Sequence, residues 1–190
     1  MQQRATVAGP PLPVLDGPWS ARIPQTEGAD LDLVHSWMQQ PHVEAFWHQA
    51  WPHERWAEEI AGQLAGDHSL PALISHEGSP LAFVEIYRVQ RDRLAEHYPY
   101  GPHDLGVHIA IGDVTRTGKG LGRRALRALA EGLLAADPAC PRVVAEPDIR
   151  NEPSLKAFHA AGFRPAGEIT FPDKTAALVV HPRGEEDMLR

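Results

Sequence analysis

The 190-residue sequence predicts one mixed α/β domain, with a mostly antiparallel sheet flanked by helices around a β-α-β-α core. Three observations carry that expectation. In DLGVHIAIG, residues 104–112, Leu105, Val107, Ile109 and Ile111 alternate with Asp104, Gly106, His108 and Ala110, the period of two of a strand with one apolar face. The glycine-rich stretch TGKGLGRR comes next and opens a long helix over 121–136. A short strand, a helix and a closing pair of strands then follow an opening half of helices and a hairpin.

Taken in order, residues 1–29 are rich in proline and glycine. Residues 1–18 read as a flexible N-terminal segment, and residues 19–23 as a short strand. Asp30 reads as the N-cap of a helix that carries Leu31, Val34 and Met38 at helical spacing. A second helix is expected over 53–65. Residues 70–76 and 81–89 read as a hairpin turning at EGSP, and RDRLAEHY as a helical turn. After the strand 104–112 and the helix 121–136, residues 142–146 read as a strand. Residues 151–161 read as a helix, with Pro153 tolerated in its first turn and Gly162 closing it. Residues 163–171 and 175–181 form the closing strands. The domain so defined spans 19–182, and 183–190 reads as a solvated tail.

Composition narrows the class. Hydrophobic residues at 43% and charged residues at 23% are ordinary for a soluble globular protein. A net charge of −7 speaks against a broad nucleic-acid surface. No apolar run approaches the roughly 20 residues that span a bilayer, and the N-terminus lacks the apolar core of a secretory signal. A single cysteine, Cys140, leaves no internal disulfide and no cysteine-based zinc site. These observations imply a cytoplasmic protein; a monomer without metal is the further expectation.

TGKGLG lacks the GK[ST] ending of a P-loop, and Arg123 stands where a dinucleotide fingerprint needs its third glycine. Its position between strand and helix still suits phosphate. Unpaired amides at a helix N-terminus point one way, and the helix dipole adds positive potential. Glycine lets a phosphate approach without a Cβ in the way. Taken alone, the residues leave open a flexible loop with a solvated basic edge.

TGKGLGRRALRAL resembles the pyrophosphate loop [QR]-x-x-G-x-[GA] of the GNAT acyltransferases, and NEPSLKAFHAAGF resembles their second signature, an Asn followed by a helix ending in x-G-F. Thr117 stands where that family usually has Gln or Arg. The resemblance covers residues 22–181 and implies a GNAT-like domain with a β-α-β-α acyl-CoA-binding core and acetyl-CoA or another acyl-CoA as co-substrate. EIYRVQRDRLAEHYPYGPHDLG, VVAEPDIRN and FPDKTAALVV narrow it. They are similar to the siderophore-biosynthesis branch, which includes the acyltransferases of aerobactin, desferrioxamine and mycobactin assembly. That branch implies acylation of an N-hydroxylated side amine, of the N6-hydroxylysine or N-hydroxycadaverine type, or of lysine itself.

The resemblance carries roles onto residues. His108 becomes the general base, because an imidazole with a pKa near 6.5 is usable at neutral pH. Asp148, past the C-terminal end of its strand, orients His108 or holds the acceptor amine. Phe158 occupies the place where many GNATs carry a tyrosine acid, so Ser154 is the expected donor to the leaving thiolate. Ile109 and Ile111 pair with the pantetheine arm, and an amide near Ile111 polarises the thioester carbonyl. Thr117, Gly118, Lys119, Gly120, Gly122 and Arg123 hold the pyrophosphate, and Asn151 bonds a pantetheine amide while also suiting an N-cap. Trp47 and His48 cover the substrate, whereas Glu85 and Tyr87, on one strand face with Phe83, contact it. Lys174 lies in the family-like stretch, and the sequence does not explain it. Two other readings compete: an aminoglycoside 6'-N-acetyltransferase, against which the D-x-G-x-H strand argues, and a catalytically inactive acyl-CoA-binding protein, which Phe158 and Thr117 would suit.

Overall fold

The structure is a computed structural model, and it describes residues 7–189. Among these residues, seven strands form one mixed sheet flanked by five helices. In chain order the elements are β1 (Trp19–Arg22), α1 (Gly28–Met38), α2 (Pro41–Trp47), α3 (His53–Ala65), β2 (Ser69–His76), β3 (Ser79–Arg88), β4 (Leu105–Ala110), α4 (Leu121–Ala136), β5 (Arg142–Ala145), α5 (Glu152–Ala160), β6 (Arg164–Thr170) and β7 (Thr175–Pro182). The sheet order is β1-β2-β3-β4-β5-β7-β6. No helix among the described residues is long and apolar enough to cross a membrane.

Local chemistry explains most boundaries. The β2–β3 hairpin turns at Glu77 and Gly78, whose φ angles of 50° and 77° suit a tight two-residue turn. Gly120 caps α4 with φ 76°, and Asn151 caps α5 by accepting the Ser154 amide at 3.2 Å. Two expectations differ. Asp30 lies inside the first turn of α1 rather than at its cap, where Glu27 stands. Its carboxylate instead accepts Arg22 Nη2 at 2.6 Å and the Gln25 amide at 2.9 Å. The second is α2, which the sequence reading lacked. It has seven residues and one buried side chain, Val43, too short a pattern to show a helical period.

The chain ends also differ. Residues 1–6 of the segment expected to be flexible lie outside the described residues. Residues 7–18 run against the body: the Ala8 carbonyl accepts Arg88 Nε at 2.9 Å, Arg91 binds the Val7 carbonyl, and Leu15 is buried beside Gly132. Buried guanidiniums need acceptors, and this segment supplies them. The expected tail is tied in likewise. Arg183 donates to the carbonyls of Cys140 at 2.9 Å and Asp137 at 2.9 Å, and Glu185 pairs with Arg164 at 2.9 Å.

The sheet has one parallel pair, and it places the site. β4 and β5 pair only at Leu105–Val143 and Gly106–Val144. β4 runs on to Ala110 without a β5 partner, so the two strands part and open a cleft between their C-terminal ends. On one face, Leu105, Val107, Val143 and Ala145 pack under Leu126, Leu129 and Leu133 of α4 and Phe158 of α5. On the other, Phe83 and Ala110 pack under Val34 and Met38 of α1 and Trp56 of α3.

Candidate active site

Two cavities meet where β4 and β5 part. The first, about 780 Å³, runs along the end of β4 and the glycine loop. Ile109, Ile111, Thr117, Gly118, Gly120, Gly122, Arg123 and Asn151 all line it. Gly118 and Gly120 hold φ angles of 70° and 76°, which turn the loop sharply into α4. Arg123 folds back over it, its Nε 3.1 Å from where a Gly120 Cβ would lie. Bare backbone, a helix N-terminus and an arginine together fit a pyrophosphate. Lys119 does not line the cavity and is exposed. His42, from α2, donates from Nε2 to the Ile111 carbonyl at 2.8 Å and so closes α2 against the end of β4.

The second cavity, about 460 Å³, lies at the gap between β4 and β5 and carries many charged residues in its walls. His48, Glu85, His108, Glu146, Asp148, Asp173 and Lys174 are among its walls. Phe46, Trp47, Ile109, Asn151 and Ser154 line both cavities, so the two spaces join at these residues. Trp47 stands edge-on to His108 at 6.1 Å between ring centroids.

The register of three strands builds a charged cluster here. β3 pairs with β4 at Glu85–His108 and Tyr87–Gly106. β4 pairs with β5 at Gly106–Val144, so Glu146, two residues on, comes level with His108. His108 Nδ1 lies 3.2 Å from Glu85 Oε2, and Nε2 lies 2.9 Å from Glu146 Oε1. Tyr87 donates its hydroxyl to Glu146 Oε2 at 3.2 Å. Gln63 of α3 donates to Glu85 Oε1 at 2.7 Å. Lys174 donates to the Glu146 carbonyl at 2.7 Å, and its Nζ lies 3.7 Å from Glu146 Oε1. Gly106 makes the arrangement possible: a Cβ there would sit 2.1 Å from the Tyr87 ring.

The electrostatics follow from these contacts. Burial disfavours the charged form of His108, but the charge and hydrogen bond of Glu146, then those of Glu85, outweigh it and raise the pKa from 6.5 to about 10. Burial likewise works against ionised Glu146, yet His108 and then Lys174 hold it down at about 2. The ring is therefore an imidazolium at neutral pH, with both nitrogens engaged.

That geometry corrects several expectations. His108 sits where expected, but it is not the free neutral base that its ordinary pKa suggested. Asp148 does not orient it. Asp148 accepts the Arg150 amide at 2.8 Å and Arg150 Nη2 at 2.6 Å, and the arginine lowers its pKa to about 2. Glu146 holds the ring instead, and sequence reasoning missed it. The available signal was its place in RVVAEPD, in alternating phase with Val144. Tyr87 is 1% exposed and supports Glu146 from beneath, so it does not contact the cavity as expected of a substrate-binding residue. Lys174, unexplained by the sequence, ties the β6–β7 turn to Glu146. Phe158 is buried, meets Phe163 edge-on at 5.0 Å between ring centroids and borders the second cavity with no hydroxyl to offer.

Comparisons with known proteins agree with this architecture. Residues 26–171 match the acetyltransferase (GNAT) domain. The lysine N-acyltransferase MbtK of Mycolicibacterium paratuberculosis is 37% identical over 174 residues, covering 92% of this chain and 78% of the relative. The N-hydroxyputrescine acetyltransferase of Acinetobacter baumannii is 32% identical over 149 residues, covering 78% of this chain and 71% of the relative. Aminoglycoside acetyltransferase AAC(6')-Ib, solved with coenzyme A, superposes with a TM-score of 0.78 over 87% of this chain and 95% of that one. At 23% identity this last likeness concerns the fold alone. The chain therefore belongs to the GNAT acetyltransferase family and is an acyl-CoA N-acyltransferase, with acetyl-CoA or a related thioester as co-substrate.

Proposed function

We propose that this enzyme acylates an N-hydroxylated side amine in hydroxamate siderophore biosynthesis. The observation that carries the reading is the joining of the glycine-loop cleft to a cavity with two imidazoles among its described lining residues, the exposed His48 and the half-buried His108, of which His108 is already committed to two carboxylates. The His108 ring, at the centre of the charged cluster, is therefore not free to strip a proton from an ammonium. A lysine amine, at about 10.4, arrives protonated at neutral pH. A hydroxylamine is far less basic, arrives neutral and can attack at once. The relatives named for lysine and for N-hydroxyputrescine support a side amine of this size.

In this reading the glycine loop, Arg123 and Asn151 hold the acyl donor. Trp47 and His48 cover the acceptor, and Ser154, at the junction of the cavities, protonates the departing thiolate. Positioning and polarisation of the thioester carbonyl then supply most of the rate. His108 and Glu146 fix the charge around the acceptor. Asp148 borders the acceptor cavity without touching His108. The enzyme acts as a cytoplasmic monomer, and its net charge of −7 speaks against nucleic acid as a partner.

The test is coenzyme A release, followed with a thiol reagent. Acetyl-CoA and succinyl-CoA are offered with N6-hydroxylysine, N-hydroxycadaverine, lysine and kanamycin, to wild type and to His108→Ala. The expected result is turnover on a hydroxylamine that falls at least about tenfold in the variant. Turnover on kanamycin alone would refute the siderophore reading, and acetyl-CoA binding without turnover on any amine would mark a non-catalytic binder.

A further inference from the structure

A base needs a lone pair that can reach the proton it removes. Around the acceptor cavity, apart from the exposed His48 at the end of α2, most candidates have theirs committed. His108 faces a carboxylate from each ring nitrogen, at 3.2 and 2.9 Å. Glu146 has a side chain only 3% exposed, and its two oxygens are engaged by the Tyr87 hydroxyl, His108 and Lys174. Asp148 and Asp173 are held by Arg150 and Arg93. Glu85 differs. Its side chain is 13% exposed and lines the cavity. Gln63 occupies one site on Oε1, and His108 one site on Oε2. A carboxylate has about four lone-pair sites, so each Glu85 oxygen keeps one for a ligand.

We propose that Glu85 is the group that takes the proton from the attacking acceptor nitrogen, with the His108 ring as the fixed partner that aims its carboxylate. The inference rests on the acyl-transfer reading above. The nitrogen lone pair forms the C–N bond to the thioester carbon, and the carbonyl electron pair moves onto oxygen. As that pair returns, the C–S bond breaks and the thiolate leaves with the bonding electrons. The N–H proton passes to Glu85, which later releases it to solvent, while the thiolate takes its proton from the Ser154 hydroxyl, which regains one from solvent. A carboxylate is strong enough for this step, because the nitrogen becomes cationic as the C–N bond forms and its proton becomes strongly acidic. Gln63, which also donates to Glu59 Oε1 at 3.0 Å, anchors Glu85 to α3.

The experiment compares wild type with Glu85→Gln and Glu85→Ala in steady-state thiol release, with acyl-CoA binding followed by thermal shift. The proposal expects kcat of Glu85→Gln to fall about 100-fold, the lower range for a positioned base, with acceptor KM and acyl-CoA binding little changed. It also expects added formate to restore part of the rate of Glu85→Ala, and none of His108→Ala. If Glu85→Gln does not fold, Glu85→Asp keeps the charge beside His108 but withdraws the carboxylate by one methylene, and kcat alone should fall. A raised KM at unchanged kcat would make Glu85 an anchor for a substrate ammonium and overturn the proposal, as would unchanged kinetics. Wild type that releases no thiol with any amine or hydroxylamine would overturn the acyl-transfer reading and the proposal together.

Discussion

Replacing Gly106 with alanine tests how the sheet builds the site. A Cβ at this position would lie 2.1 Å from Tyr87 Cζ, 2.2 Å from Cε2 and 2.5 Å from the hydroxyl oxygen. Carbon atoms in contact rest at about 3.5–4.0 Å, so the ring must retreat by more than 1 Å or so. Tyr87 is 1% exposed and packs on His108 at 4.8 Å between centroids, so no room exists for that retreat. Overpacking of this kind costs about 1–3 kcal/mol. Displacing the hydroxyl from Glu146 leaves a buried polar group unpaired, for about 1–3 kcal/mol more. The sum, about 2–6 kcal/mol, corresponds to a fall in Tm of roughly 5–20 °C for a chain of this length. Thermal unfolding followed by circular dichroism measures it. Combining Gly106→Ala with Tyr87→Leu removes the ring that clashes, so the double variant should lose less than the two single losses added. An unchanged Tm in Gly106→Ala, or strict additivity in the double variant, would refute the reasoning.

Two further outcomes follow from the charges. His108 is raised in the folded chain to about 10, so its contribution to stability is complete below about pH 6.5 and is lost as pH rises toward 10. Glu146 is lowered to about 2, so its contribution is complete above about pH 4.5 and is lost as pH falls toward 2. Glu146→Gln should therefore lower the His108 pKa read by NMR and flatten the alkaline arm of the stability curve; an unchanged alkaline arm would count against the pairing. Asp148→Asn should keep kcat near wild type, because the new side chain can still accept the Arg150 amide and His108 does not depend on it. It should cost at most about 1 kcal/mol of stability, since Arg150 is largely exposed. A loss of turnover matching that of Glu146→Gln would return Asp148 to the chemistry.

Much of this fold is legible in local sequence, because its signals are local. The helices over 53–65 and 121–136 declare themselves by apolar period, the hairpin by its turn at Glu77 and Gly78, and the glycine loop by Gly118 and Gly120 before a helix. The acyl-CoA-binding half of the site lies within a single stretch of chain, from β4 through the loop into α4, so its residues could be named from order alone. α2 escaped because seven residues are too few to show a period, and His42 with it.

The acceptor half depends on partners far apart in sequence. Glu146 and Asp148 both follow β5 on the same alternating phase, and nothing in VVAEPDIRN says which one meets His108. The choice is made by the parallel register of Gly106 with Val144, which brings residue 146 level with residue 108, while Arg150 draws Asp148 aside. Lys174 and Gln63 reach the same cluster from the β6–β7 turn and from α3, across 66 and 45 residues from His108 along the chain. The sequence by itself determined most of the elements, the family and the cleft for the acyl donor, since each of these is written in neighbouring residues. Only the tertiary structure decided which groups hold the imidazole and in what charge state, because that rests on strand register and burial, which no local pattern encodes.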